Sequence, residues 1–238
     1  ARPGHGASNT NYEDKEIAGN SFDYPYIHGK AIKAAGYTFV STSKAAVISG
    51  KIKLEDYVFV DLGLGKERQH VNPLDSSKYD FVVFEPEMRD AIKRLTREGG
   101  NLIISGSDWV SDFIGNTKDN RAEKEFMEKT LRISWQSEKA MSENEIDFQH
   151  TIKHFYKGNA AISTSPNSKI YYVENPDVIR PSDSKATELC KYPVSQKNAG
   201  IIFRTKYGVC AFGFPLETIT EEEKLEKLMK DIFDYFED

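Results

Sequence analysis

No stretch of this 238-residue chain approaches the roughly 20 consecutive apolar residues that a bilayer-spanning helix needs, so no membrane span is expected. Positive charge is also short: the net charge is -5, with Lys and Arg scattered among Asp and Glu, which argues against a nucleic-acid partner. The pair Gly63-Leu64-Gly65 lacks the third glycine of Gly-x-Gly-x-x-Gly, because Arg68 stands there, and no dinucleotide cofactor is expected. His150 and His154 have the spacing of a zinc pair on one helix face, yet Thr151 replaces the glutamate of His-Glu-x-x-His. They read as histidines at the solvent edge, with no metal or other cofactor. Cysteine is limited to Cys190 and Cys210, too few to decide a redox compartment. Cys210 reads as a buried thiol, and a bridge to Cys190 is open but not indicated.

The hydrophobic content of 39% suffices for the core of one α/β domain. Ala1-Arg2-Pro3 opens the chain without an initiator Met, and the expectation is a domain excised from a longer chain, its first strand lying upstream or missing. Residues 1–21 are polar and glycine-bearing, which predicts an exposed opening loop. Phe22-Asp23-Tyr24-Pro25-Tyr26-Ile27-His28-Gly29 then gathers aromatics and a histidine at a helix start. Ile27, Ala31, Ala34 and Ala35 recur at helical spacing until Gly36, and a short strand is expected at Tyr37-Thr38-Phe39-Val40.

A short helix and a connection are expected over 41–56. Residues 57–62 read as a central parallel strand, apolar on both faces. Met88, Ala91, Ile92 and Leu95 stripe a helix over 86–98 that Gly99 stops, and strand 101–105 follows. A further helix is predicted over 123–131. Residues 133–166 suit a pair of edge strands or an insertion. A strand is expected at 170–174 and a hairpin over 199–214, with Thr220 and Glu223 as the capping box of a last helix that closes on the sheet.

Strand 101–105 ends abruptly in Ser105-Gly106-Ser107-Asp108-Trp109-Val110-Ser111-Asp112, at the carboxyl edge where ligands bind in open α/β sheets. Ser107 is the plausible nucleophile of that turn, although Ser105 and Trp109 stand where Gly-x-Ser-x-Gly needs glycines. A base would have to come from His28, His150 or His154. Asp108 and Asp112 suit a calcium ligand or, more commonly, a helix cap. Tyr24, Tyr26 and Trp109 have the chemistry to stack on sugar rings, with Asp108 and His28 bonding to hydroxyls; buried core aromatics are the alternative for both tyrosines.

The chain resembles the class I glutamine amidotransferase-like domain of secreted or surface-attached Bacteroidetes proteins often labelled xanthan lyases. The resemblance spans nearly the whole chain and rests on Ser8-Asn9-Thr10-Asn11-Tyr12-Glu13-Asp14, on residues 22–29, on Gly99-Gly100-Asn101-Leu102-Ile103-Ile104-Ser105-Gly106 and on Gly213-Phe214-Pro215-Leu216-Glu217-Thr218-Ile219. It implies a flavodoxin-like, mostly parallel sheet flanked by helices, within a larger extracytoplasmic protein that deals with polysaccharide. An active amidotransferase carries a cysteine nucleophile on the turn and a later histidine. Residues 105–108 hold no cysteine, and no histidine follows His154. The expectation is a catalytically degenerate accessory module with a carbohydrate ligand and other domains of its parent chain as partners. The alternative is a hydrolase or lyase that uses the Ser107 to Asp112 loop.

Overall fold

The computed structural model describes residues 24–117, 120–141, 143–167 and 170–238. The opening loop expected over 1–21 lies outside them. In chain order the first half holds α1 (Tyr24–Ala34), α2 (Lys44–Ile48), β1 (Phe59–Gly65), β2 (His70–Asn72), β3 (Asp75–Asp80), α3 (Pro86–Arg97), β4 (Asn101–Gly106), α4 (Trp109–Thr117) and α5 (Arg121–Glu125). The second half holds β5 (Glu145–Phe148), β6 (Gly158–Ala161), β7 (Thr187–Lys191), β8 (Asn198–Arg204), β9 (Gly208–Phe212) and α6 (Glu222–Glu237).

Seven strands form one sheet in the order β1-β4-β9-β8-β7-β5-β6, and β2 pairs with β3 as a separate hairpin. The α/β class is as expected, but the sheet is not mostly parallel. Only β1, β4 and β9 run parallel, whereas β8, β7, β5 and β6 each pair antiparallel with their neighbours. The reason lies in the connections. The β2–β3 hairpin and the helix α3 link β1 to β4, the long crossover that a parallel pair requires, while β8 and β9 are joined by the short turn that the hairpin pattern predicts.

β4 is buried at every residue, and its alternation sets the two faces of the sheet. Leu102 and Ile104 share a core with Met88, Ala91, Ile92 and Leu95 of α3 and with Trp109 and Phe113 of α4. Ile103 belongs to the opposite core with Leu228, Met229, Ile232 and Phe233 of α6. Each Leu, Ile, Met or Phe side chain among them contributes roughly 1.5–3 kcal/mol on full burial. The α3 stripe is the one seen in the sequence. Pro86 starts the helix, and Gly99 at φ +90° ends it as Gly100 N–H returns to Leu95 O at 2.9 Å.

Several expectations need correction. β1 is the outer strand among the described residues, not a central one. Its apolar run is explained by side chains on its faces, since Phe59 lies 5.4 Å from the Tyr37 ring and 4.7 Å from Phe233. Residues 37–40 form no strand, because Tyr37 is drawn onto Phe59 and Phe233 and the Phe39 ring lies against Gly29. Residues 170–174 form none either; their aromatics are used at the carboxyl edge, as described below.

β7 has no strand signature in its sequence, Thr-Glu-Leu-Cys-Lys, which mixes polar residues with the buried Leu189 and Cys190. The helix expected over 123–131 is α5 followed by a π turn, Phe126–Thr130. Residues 133–166 do supply the edge pair, β5 and β6. At α6 the cap residue is Glu221 and no capping box forms. Glu221 instead accepts Ala161 N–H at 2.8 Å, and Thr220 donates to Ala161 O at 3.3 Å, tying the helix start to β6. Both cysteines are free and buried, on β7 and β9 with β8 between them. No helix among the described residues is long and apolar enough to cross a membrane.

Candidate functional site

The parallel strands β1, β4 and β9 end at one edge, and two charged centres are built there on either side of Gly65. The first is the turn from β4 into α4. Gly106 is required at its entrance, because a Cβ there would lie 2.9 Å from Leu64 Cβ. Ser107 N–H donates to Gly65 O at 2.8 Å, and Asp108 takes the left-handed conformation, φ +71°. A non-glycine residue in that region is strained by roughly 1–3 kcal/mol unless its surroundings impose it.

Those surroundings are electrostatic. Lys139 donates to Asp108 Oδ1, pairs with Asp177 at 3.0 Å, and Arg68 lies 4.0 Å from Asp108. Asp177 in turn accepts Val110 N–H at 2.8 Å and Ser111 N–H at 3.4 Å, which caps the first turn of α4. Burial raises the pKa of Asp177, with Lys139 and these donors pulling the other way. The residue that caps α4 therefore comes from far along the chain, not from Asp108 or Asp112. Ser107 is buried and its hydroxyl donates to Asp108 Oδ2 at 3.3 Å, so the hydroxyl is bonded to a carboxylate and not to a histidine.

The second centre is brought together from α1, β1, residues 170–174 and the turn after β9. His28 sits on the buried face of α1, with Nδ1 2.6 Å from Asp61 Oδ2 and Nε2 3.1 Å from Glu217 Oε2. Glu217 belongs to a 3-10 turn, Leu216–Thr218, and accepts the Tyr171 hydroxyl on Oε1 at 2.7 Å. The Tyr24 ring meets Tyr171 edge to face at 5.2 Å. Burial disfavours a charged imidazole here, but Asp61 and Glu217 outweigh it and hold the His28 pKa well above the usual histidine value. The ring is then an imidazolium that donates from both nitrogens. Burial, with Glu217 alongside, pushes both tyrosine hydroxyls the same way, towards the neutral form.

The second glycine after the β1 apolar run has a local purpose. A Cβ at Gly65, where φ is +56°, would lie 3.0 Å from Tyr24 Cε2, so glycine there admits the Tyr24 ring to the strand. At Gly63 a Cβ would lie 3.7 Å from His28 Cε1, an ordinary contact that does not require glycine.

The remaining site residues named from the sequence are dispersed. Trp109 is fully buried, donates Nε1–H to Phe212 O at 3.0 Å and meets Phe84 edge to face, so it presents no face to a ligand. Tyr24 is half-buried, and Tyr26 is 63% exposed, the one of the three aromatics with a ring open to solvent. Asp112 accepts Gln69 N–H and the Asn116 amide, each at 2.9 Å, and burial raises its pKa. His150 and His154 lie in a loop and not on a helix. Ile152 N–H donates to His150 Nδ1 at 3.2 Å, and His150 Nε2–H donates to Tyr156 O at 2.8 Å, while His154 stands at φ +58°.

Asp61, Glu217, Tyr171, Lys139 and Asp177 were not singled out from the sequence. Asp61 has a sequence signal, a carboxylate inside an otherwise apolar strand run, and Glu217 belongs to Gly213-Phe214-Pro215-Leu216-Glu217-Thr218-Ile219. Tyr171, Lys139 and Asp177 carried none. Among the described residues no group of three or more His, Cys, Asp or Glu is arranged to hold a metal ion. No family model matches the chain, and no curated protein is significantly similar to it.

Proposed function

We propose that this chain is an amidotransferase-like, flavodoxin-related accessory module, catalytically degenerate, of an extracytoplasmic protein that handles polysaccharide, and that its ligand is a carbohydrate. The observation that carries the reading is how the two charged centres use their groups. Ser107 gives its hydroxyl to Asp108, while His28 gives both ring nitrogens to Asp61 and Glu217. A serine nucleophile needs a base within hydrogen-bond reach, and the best-placed histidine is committed elsewhere. Other domains of the parent chain are the expected partners. The open ring of Tyr26 supports a sugar-facing surface near the start of α1.

One observation favours a second reading, a hydrolase or lyase working from the Ser107 to Asp112 loop: the left-handed backbone at Asp108 sits on a strand-to-helix turn, the place where α/β hydrolases expose a nucleophile. A single experiment separates the two. The purified chain is incubated with glutamine, with xanthan fragments and with a panel of plant and host glycans, and both bound ligand and product are measured. Glycan binding with no ammonia, reducing end or unsaturated uronide supports the module. Product that disappears in Ser107→Ala or Asp108→Asn overturns it in favour of the enzyme.

A further inference from the structure

A groove of about 510 Å³ lies at the end of the sheet opposite the two charged centres. Its place follows from the β8–β9 hairpin. Gly208, the first residue of β9, donates its N–H to the side chain of Asn101, the first residue of β4, at 2.8 Å, so the turn before it sits where these parallel strands begin. Arg204 and Thr205 enter the groove from that turn, Ile152 and Lys153 from the loop between β5 and β6, and Tyr235 and Asp238 from the end of α6. None of them belongs to either centre.

The cations of this groove are open to solvent and uncommitted. Lys153 and Arg204 are exposed, and among the described residues neither forms an ion pair or donates a hydrogen bond, although the net charge of the chain is -5. Lys206, on the same turn, differs: it donates to Arg97 O at 2.5 Å. Burial raises the pKa of the half-buried Tyr235, with Cys210 adding to it and Arg204 opposing, so the guanidinium acts on the phenol from within the groove. The loop that carries Lys153 is held in place. His150 accepts Ile152 N–H at 3.2 Å and donates to Tyr156 O at 2.8 Å, and the Phe155 ring meets His150 at 5.2 Å and Tyr235 at 6.3 Å, edge to face in both cases.

Chemistry and size narrow the occupant. Two cations brought from separate elements to one concave surface attract a shared anion, and the fork of a guanidinium matches a carboxylate. Asp238 is the one carboxylate of the lining, so the cations exceed it by a single charge, which suits a monoanion better than a phosphate of about two charges. Tyr235 and Ile152 supply a wall for the C–H face of a ring, and Thr205 a hydroxyl that can donate or accept. The volume falls within the roughly 300–1,000 Å³ of small-molecule sites. We infer that this groove binds a sugar ring that bears one carboxylate, with the carboxylate held by Arg204 and Lys153 and the ring against Tyr235. The inference rests on the carbohydrate reading above and gives it a place and a charge selectivity.

The test is a ligand-observed NMR titration of the full chain, at low salt, with D-glucuronate, D-glucose and inorganic phosphate. Saturable binding of glucuronate is expected, about ten-fold tighter or more than that of glucose or phosphate, and weakening as salt is added. Arg204→Gln and Lys153→Gln should each weaken it by about ten-fold, as expected for losing a hydrogen bond to a charged group. Both variants should keep the thermal midpoint, because neither side chain has a protein partner to lose. Lys124→Gln, which removes the same charge from an exposed position on α5, should leave binding unchanged. Absence of glucuronate binding, glucose or phosphate bound as tightly, or glucuronate binding that both groove variants leave intact overturns the inference. Glycan binding without any glucuronate binding removes the groove and leaves the module. Glucuronate binding that the groove variants weaken, together with glycan turnover that Asp108→Asn abolishes, removes the module and leaves the groove.

Discussion

The two centres flanking Gly65 share a plan, a cation between two carboxylates, with Arg68 added at the outer edge of the second, and have opposite relations to solvent. In one, His28 lies between Asp61 and Glu217, with histidine and glutamate both buried. In the other, Lys139 lies between Asp108 and Asp177, and the lysine side chain is 32% exposed. What differs is whether water can replace the cation. Around His28 it cannot, so the three groups hold α1, β1 and the turn after β9 together as a unit. Around Lys139 it can, so that cation's contribution is screened and the geometry of the turn rests on backbone bonds and on the Asp177 cap.

The comparison is broken most directly by deleting each cation. His28→Ala leaves the buried Glu217 and the partly buried Asp61 without their cation, and a loss of about 3–5 kcal/mol in unfolding free energy is expected from chemical denaturation. Lys139→Ala should cost less than about half of that, because the lysine reaches solvent and Asp177 retains its helix donors. Equal losses would refute the distinction.

The pH dependence sharpens it. The folded pKa of His28 is raised above its unfolded value, so its contribution is fully present below about pH 6.5 and is lost as pH rises through the folded pKa. Unfolding free energy measured from pH 6 upward should therefore decline in the parent chain. A His28→Gln variant should lack that decline. Parallel curves for the two proteins would show that His28 does not carry a proton in the folded state.

Asp177 tests the second centre without its cation. Asp177→Ala removes the acceptor of Val110 and Ser111 N–H and one of the two carboxylate partners of Lys139. A cost of about 1–3 kcal/mol is expected, above that of an exposed cap because Asp177 is fully buried. Hydrogen exchange should localise the effect to the first turn of α4. A global effect as large as that of His28→Ala would mean that the two centres are coupled through Gly65.

How much of this was legible in the sequence follows from the range of each interaction. The α3 stripe, the β4 run and the α6 repeat are local patterns, and all three elements form where periodicity puts them. The β8–β9 hairpin is local as well. Strand order is not, and the apolar faces of β1 came from Tyr37 and Phe233 rather than from strands on both sides. The sites divide the same way. His28 and Asp108 stood out within their own segments, but the partners that decide their chemistry are 189 residues away for His28 and Glu217, and 31 for Asp108 and Lys139. Trp109 shows the converse hazard. An indole beside a polar turn reads as a ligand platform until the β9 carbonyl that receives its N–H is in view.

The smallest effect is expected at Asp108, and it is the most telling for function. Asp108→Gly suits φ +71° and relieves the strain of a side chain in the left-handed region, while it forfeits a partly solvated contact with Lys139 and the acceptor for Ser107. These terms oppose one another, and the net change should fall within about 1 kcal/mol of zero. Asp108→Val has no such relief, because a β-branched residue is poorly tolerated at positive φ, and it should be clearly destabilising. If Gly is neutral and glycan binding is retained, the left-handed turn is a feature of the fold that the Lys139 pair accommodates. If Gly stabilises the chain by more than about 1 kcal/mol and glycan binding is lost, the aspartate is held against its own strain for the ligand, and the second centre is the one that meets it.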